Sequence, residues 1–336
     1  MESDRVRAPN IRDVARHAGV SHQTVSRVLN DSPRLSAPTR DRVLAAIHEL
    51  GYRPNQAARA LVTSRSRTIG VLSALTVQYG PTTTMNAIEV AAREAGYRLS
   101  ITSSPSSGSA DLRSSLDHLR DQSIDALVVI APQVGVFEAI KDVSVGVPFV
   151  TIESSGRDAD HSLSVNQEAG ARMATRHLID LGHVGVAHLA GPQDWIEAEA
   201  RMRGYFAELA DAGLSSTQLI VGDWSAESGY LAGLELLKNP GVTAVVAAND
   251  QMALGILHAS RELGRAVPEE LSVIGFDDIP EAAHFSPPLS TIRQDFAEIG
   301  RRTVENLIAQ LEGVEPPARS MVSPELVVRE STAALA

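Results

Sequence analysis

Residues 10–30 read NIRDVARHAGVSHQTVSRVLN, and this stretch decides how the amino-terminal end folds. Ile11, Val14, Ala15 and Ala18 recur at helical spacing, with Asn10 placed to cap the first turn and Asp13 to complement the helix dipole. Gly19 breaks that helix. Ser21 is a second N-cap, and Val25, Val28 and Leu29 give the next short helix an apolar side that packs across the first. Two short helices joined by a tight glycine turn form a helix-turn-helix, whose second helix enters the major groove with its N-terminal residues at base edges. On that reading His22, Gln23 and Arg27 face bases, since Gln pairs bidentately with adenine and Arg with guanine. The small polar side chains of Ser21, Thr24, Ser26 and Asn30 suit phosphate oxygens. Two amphipathic helices about a glycine also occur without nucleic acid, so the surrounding sequence has to decide.

Charge is the first such test. The 336-residue chain carries a net charge of −11, which taken whole argues against a polyanionic partner. Residues 1–68 reverse that: twelve arginines face six acids, a net of +6 against −17 for the remainder. A small basic head on a large acidic body is the asymmetry of a DNA-binding module fused to something else. There is no cysteine, hence no disulfide framework and no thiolate metal site. No apolar run approaches the roughly 20 residues needed to span a bilayer, and MESDRVRAPN has no apolar h-region. A cytoplasmic protein with no membrane partner and no cofactor is expected.

Beyond the helix-turn-helix, Ser36 is expected to cap a third helix that accepts Pro38 in its first turn and ends at Gly51. Val43, Leu44, Ile47 and Leu50 are its expected buried stripe. After Pro54, QAARALVTS to Ser64 is helix-capable but too short and too poor in apolar surface to fold alone. Two readings stay open: a flexible linker with one incidental leucine, or a helix folding only against a second copy, with Leu61 a wedge between base steps.

From Thr68 the texture changes to alternating strands and helices. Apolar runs at 69–75, 97–102, 124–131, 147–152, 184–190, 218–222, 242–248 and 271–276, with helical stretches between, imply parallel sheets covered on both faces. Their number without barrel regularity points to two doubly wound halves, where ligands bind at carboxyl ends of strands. Those ends supply Ser73, Ala74, Glu153, Asn249, Asp250, Asp277 and Asp278, with Arg201 and Trp224 able to join them. Carboxylates, an amide and a guanidinium around an indole face suit a neutral polyol. Each residue alone has a duller role in the core, a helix start or a turn.

Taken in order, DVARHAGVSHQTVSRVLN, ELGYRPN, ARAL, HLAGP, GDWSAESG, AANDQMALG, VIGFDD and STIRQDF resemble the LacI/GalR family of bacterial transcription repressors through nearly the whole chain. The resemblance implies an all-α helix-turn-helix headpiece (8–54), a hinge helix and linker (55–67), and an α/β core of two doubly wound, periplasmic-binding-protein-like subdomains. The subdomains would be 68–165 with 293–323, and 166–292 with 324–336. It implies a homodimer on pseudo-palindromic double-stranded operator DNA, contacted by Asn10, Ser21, His22, Gln23, Thr24, Ser26, Arg27 and Asn30 and by hinge residues Asn55, Ala58, Arg59 and Leu61. A small sugar effector, expected to be a β-galactoside or another β-glycoside, would meet Ala74, Glu153, Glu197, Arg201, Trp224, Asn249, Asp277, Gln294 and Phe296. His22 stands in place of a tyrosine, and Glu153 and Glu197 stand where the galactoside-responsive branch has aspartate and serine. Ala74 and Thr84 also depart from that branch's pocket wall. The chain ends at STAALA without a leucine heptad, so a dimer is expected rather than a coiled-coil tetramer.

Three other readings fit parts of the sequence. A corepressor-dependent regulator of the same family differs only in the sign of the response, and GDWSA and QDF favour release by effector. A solute-binding protein is disfavoured by the basic headpiece and the missing signal. For an enzyme, His183 and His188 are five apart and share no helical face, and no nucleophile elbow or phosphate loop appears.

Overall fold

The computed structural model describes residues 9–29, 35–52, 65–74, 77–104, 109–130, 133–136, 146–152, 162–316 and 321–335. It divides into two units, Met1–Ser66 and Arg67–Ala336, each described by itself.

In the first unit, α1 (Ile11–Ala18) begins with a capping box. Asn10 Oδ1 accepts from the backbone N–H of Arg12 and Asp13, while the Asp13 carboxylate accepts from Asn10 N at 2.9 Å. A cap of this kind is worth about 1 kcal/mol. Gly19 closes the helix at φ +65°, a left-handed conformation that favours glycine. Ser21 Oγ then accepts from Thr24 N at 3.1 Å to start α2 (His22–Leu29). Val14, Ala15, Ala18, Val25 and Val28 meet Val43 and Ala46 of α3 (Ala37–Glu49) in one small core. On the surface, His17 Nε2 and Glu49 Oε2 lie 2.6 Å apart and tie α1 to α3.

Two expectations for α3 need correction. Leu44 is 48% exposed, because the buried face follows Val43, Ala46, Ile47 and Leu50, with Ala46 taking the place expected of Leu44. The Ser36 side chain makes no cap bond and instead pairs with the Thr39 hydroxyl. Asn30 and the hinge positions Asn55, Ala58, Arg59 and Leu61 lie outside the described residues.

The second unit holds two parallel sheets. Strands β1 (Thr68–Ala74), β2 (Arg98–Ser104), β3 (Ala126–Ile130), β4 (Phe149–Ile152) and β5 (Ser162–Leu163) form one, in the order β2-β1-β3-β4-β5. Helices α4 (Tyr79–Glu94) and α10 (Phe296–Glu312) pack together over one face, burying Ile88, Ala92, Ile299 and Leu307 against Ile69, Val71 and Val128. Leu112, Leu116 and Leu119 of α5 (Ser109–Asp121) bury Leu72, Leu127 and Val129 on the other. Burial on both faces is why these strands read as continuous apolar runs.

The second sheet repeats the plan with α6 (Gln167–Asp180), β6 (Val186–Ala190), α7 (Ile196–Asp211), β7 (Gln218–Val221), α8 (Ala226–Leu236), β8 (Ala244–Ala247), α9 (Asp250–Glu262) and β9 (Ser272–Ile274). Its order is β7-β6-β8-β9, with α6 and α7 on one face and α8 and α9 on the other. Every run expected to be a strand is one. Two short strands were missed, β5 and β10 (Thr291–Arg293); β10 pairs antiparallel with β11 (Glu325–Val327).

The chain passes between the halves three times, after β5, after β10 and after α10. Val165 and Val322 pair as the first and last of these passages run side by side. A fourth tie comes from residues that do not cross. Val134 N donates to Asp194 O at 3.0 Å, Gln133 pairs with Trp195, and Ile196 packs beside Val136 in the first half's core. Among the described residues no helix is long and apolar enough to cross a membrane.

Candidate functional site

In a doubly wound half, the residues just past the strand ends are placed by topology rather than by their own preferences. Past β7, β8 and β9 stand Trp224, Asn249 and Asp277, and all three line one cavity between the halves. The first half contributes the start of α4, from Gln78 to Pro81 with Thr84, and the ends of β3 and β4 at Ile130 and Ile152. Glu197 and Arg201 project one turn apart from α7, and Gln294, Phe296 and Ile299 come from the passage into α10. Trp224, Asp277 and Asp278 hold φ of +75°, +110° and +54°. Non-glycine residues persist there only where surrounding bonds over-determine the turn.

Those bonds are present. Asn249 Nδ2 donates to Trp224 O at 3.0 Å while its Oδ1 caps α9 through Met252 N, so one amide ties two strand ends. Gly191 leaves the indole its place, since a Cβ there would lie 2.2 Å from the Trp224 ring. Trp195 meets Trp224 edge to face at 5.5 Å, and Tyr79 meets Phe296 in the same way at 5.9 Å. The cavity therefore carries two aromatic pairs.

Its floor is a closed polar ring. Arg201 Nε donates to Gln167 Oε1 at 2.9 Å, Gln167 Nε2 to Gln294 Oε1 at 2.6 Å, and Gln294 Nε2 to Asp277 Oδ1 at 2.7 Å. Arg201 Nη2 closes the ring on the same Asp277 oxygen at 3.4 Å. Its Nη1 donates to Ala248 O, and the guanidinium lies 3.8 Å from the Phe276 ring centroid. Burial lowers the Arg201 pKa, a shift opposed chiefly by Asp277 and then by Glu197. Burial raises that of Asp277, and Arg201 holds it down. Such a floor presents oriented donors and acceptors to hydroxyl groups, with flat apolar walls for their C–H faces.

Of the residues singled out in the sequence, Glu197, Arg201, Trp224, Asn249, Asp277, Gln294 and Phe296 meet in this cavity, as does Thr84. Ser73, Asp250 and Asp278, expected among the strand-end set, are not in its wall. Asp250 is fully buried behind it, accepting from Ile279 N at 2.8 Å and Thr291 Oγ1 at 2.6 Å. Burial and then Asp277 push its carboxyl well above the usual range. Asp278 pairs with Arg293 and Arg329. The Ala74 side chain and Glu153 lie outside the described residues. Sequence reading missed Gln167, Tyr79 and Trp195; an aromatic residue soon after HLAGP was the available signal for Trp195.

In the headpiece, Val25 and Val28 turn inward, leaving Ser21, His22, Gln23 and Arg27 exposed. Thr24 and Ser26 are half-buried.

Residues 10–55 match the family described as bacterial regulatory proteins, lacI family. The Lactose operon repressor of Escherichia coli (strain K12) is 34% identical over 327 residues, covering 96% of this chain and 90% of the relative. The chain belongs to the lacI family. Its residues 175–332 match the periplasmic binding protein-like domain. Among solved lacI-family structures, the lac repressor dimer bound to operator and the anti-inducer ONPF superposes with a TM-score of 0.86 at 33% identity, covering 98% of this chain and 100% of that one. The transcriptional regulator CelR in complex with cellobiose gives 0.71 at 31% identity, covering 96% and 99%. These lacI-family relatives are regulators rather than enzymes.

Proposed function

We propose that this lacI-family chain is a transcriptional repressor that binds a pseudo-palindromic operator as a homodimer and leaves it when a small sugar fills the cavity. The carrying observation is the coexistence, in one chain, of an exposed His22-Gln23-Arg27 edge and a cavity whose polar ring and aromatic pairs suit a saccharide. His22, Gln23 and Arg27 read bases; Asn10, Ser21, Thr24, Ser26 and Asn30 hold phosphates; Asn55, Ala58, Arg59 and Leu61 form a hinge that folds on DNA. In the effector site the ring of Arg201, Asp277 and Gln294 orients hydroxyls, Asn249 and Glu197 add polar contacts, Trp224 and Phe296 stack, and Ala74 and Glu153 complete the wall.

A sugar bound between the halves favours a different arrangement of the dimer and unfolds the paired hinges across residues 55–67. GDWSA and QDF support release rather than recruitment, and operator must weaken sugar binding by the factor that sugar weakens operator binding. A coupling of about 1 to 3 kcal/mol gives roughly 5- to 150-fold. A β-glycoside is the effector class, a reading supported by a relative named for lactose and by one solved with cellobiose. The protein acts in the cytoplasm, at its operator.

The test is titration of the full-length protein onto its own upstream DNA at fixed salt, repeated with galactosides, glucosides and cellobiose. Release by one sugar is expected. Failure to bind that DNA more tightly than random duplex overturns the repressor reading, and tight binding unchanged by every sugar overturns the effector reading.

A further inference from the structure

We propose that Arg329 is a positioning residue of the sugar site, gripping Asp278 so that Asp277 beside it keeps its place in the polar ring. The inference rests on the sugar-effector reading and names a residue outside the cavity wall on which that site depends.

Asp277 and Asp278 are consecutive residues at positive φ, a costly conformation for residues other than glycine. Backbone bonds fix the path of their turn: Asp277 N donates to Ile292 O at 2.8 Å, and Ile279 N to Asp250 Oδ2 at 2.8 Å. A long bond, 3.4 Å from Asp278 N to Thr291 Oγ1, adds little. How residue 278 faces is set by its carboxylate, whose Oδ1 accepts from Arg329 Nη2 at 2.6 Å and whose Oδ2 accepts from Arg293 Nε at 2.7 Å. Relaxing residue 278 to a negative φ swings the carboxylate away and gives up two charge-assisted bonds at once. The strain is thus held in the turn from the side chain.

Of the two guanidiniums, Arg329 is the firmer anchor. Its side chain is 18% exposed against 47% for Arg293, and Arg293 is shared with Glu325 at 3.2 Å. Arg329 Nη1 also donates to Leu289 O at 2.7 Å, so one planar group fastens both ends of the 278–289 loop. Its backbone is itself held. Arg329 N donates to Ser290 Oγ at 2.9 Å, and two residues on Ser331 exchanges bonds with Val273 of β9, the strand that leads to Asp277. Asp277 Oδ1 in turn accepts from Gln294 and Arg201, so a turn that shifts takes the ring with it. A site that must be reordered on binding is a weaker one, because the cost of ordering is subtracted from affinity.

The experiment is calorimetric titration of the full-length protein with lactose and with cellobiose, at fixed pH and salt, alongside its operator affinity without sugar. Arg329→Met should weaken sugar binding at least tenfold and leave operator affinity within twofold. Arg329→Lys, which keeps the charge, should bind sugar at least threefold more tightly than Arg329→Met. Ser331→Ala cuts hydroxyl bonds of the same segment to Val273 and Ser290 without touching Asp278, and should leave sugar affinity within twofold. Asp278→Gly removes the carboxylate and accepts a left-handed φ, so adding Arg329→Met to it should cost less than threefold more. Native sugar affinity in Arg329→Met, a lysine variant no better than methionine, an equal loss in Ser331→Ala, or a further tenfold loss in the double variant overturns the assignment. If Arg329→Met does not fold, Asp278→Asn replaces it, with at least a threefold loss expected and native affinity overturning the proposal. Binding of neither sugar, by native protein that still binds its operator, overturns the sugar reading and this inference with it.

Discussion

Replacing Arg201 with methionine keeps the buried stem and removes the cation. Arg201 is 6% exposed and Asp277 7%, so the substitution leaves a carboxylate inside the protein with only the Gln294 amide donating to the oxygen they shared. Breaking a buried pair from one side costs about 3 to 5 kcal/mol, because the surviving charge is uncompensated. Neutralising that charge should reverse part of the loss: Arg201→Met with Asp277→Asn is expected to be about 2 kcal/mol more stable than Arg201→Met alone. The penalty should also depend on pH. Burial sets the folded pKa of Asp277 above its ordinary 3.8 while Arg201 holds it down. A carboxyl whose folded pKa is raised binds its proton more tightly in the native state, so stability falls as pH rises from the ordinary value through the folded one. Without Arg201 that window extends upward, and the penalty should be smaller at pH 5 than at pH 8. Urea unfolding followed by intrinsic fluorescence measures this in the core. Both tryptophans of the chain, Trp195 and Trp224, stand in the cavity wall, so headpiece melting does not enter the signal. An equal penalty at both pH values, with a double variant no more stable than the single one, would refute the reasoning.

Gly191→Ala places a methyl 2.2 Å from the Trp224 ring and should shift the indole, weakening sugar binding at least tenfold and changing its fluorescence, while operator affinity without sugar stays within twofold. Arg27→Ala should cost about 1 to 3 kcal/mol on operator if it reads a guanine, with little loss on random duplex; equal losses in a gel-shift series would make it a phosphate contact. His188 is fully buried with its pKa pushed down to about 4, so it folds neutral and its unfolded form takes up a proton first as pH falls. Stability should drop between about pH 6.5 and 4, by about 3 kcal/mol in all, and His188→Gln should flatten that dependence in urea midpoints.

What could be read from the sequence was what is decided locally or by topology. The Asn10 cap, the Gly19 break and the Val25-Val28 face are settled within one turn, and the doubly wound strands announce themselves because both faces are buried. β5 and β10 have two and three residues, too few for any period to show. At the strand ends, topology picked out Trp224, Asn249 and Asp277 but could not sort them from Asp250 and Asp278, whose side chains turn away to brace the same loops. Gln167 was invisible because its partner Gln294 lies 127 residues along the chain. Leu44 misled because hydrophobicity alone ranks it above Ala46, although helical spacing from Val43 puts the alanine inside.

The bond from Val134 to Asp194, with Ile196 seated beside Val136, fastens the two halves at a place the chain does not cross, next to a wall residue, Trp195. A backbone bond there makes any change in the angle between the halves act on the cavity wall at Trp195.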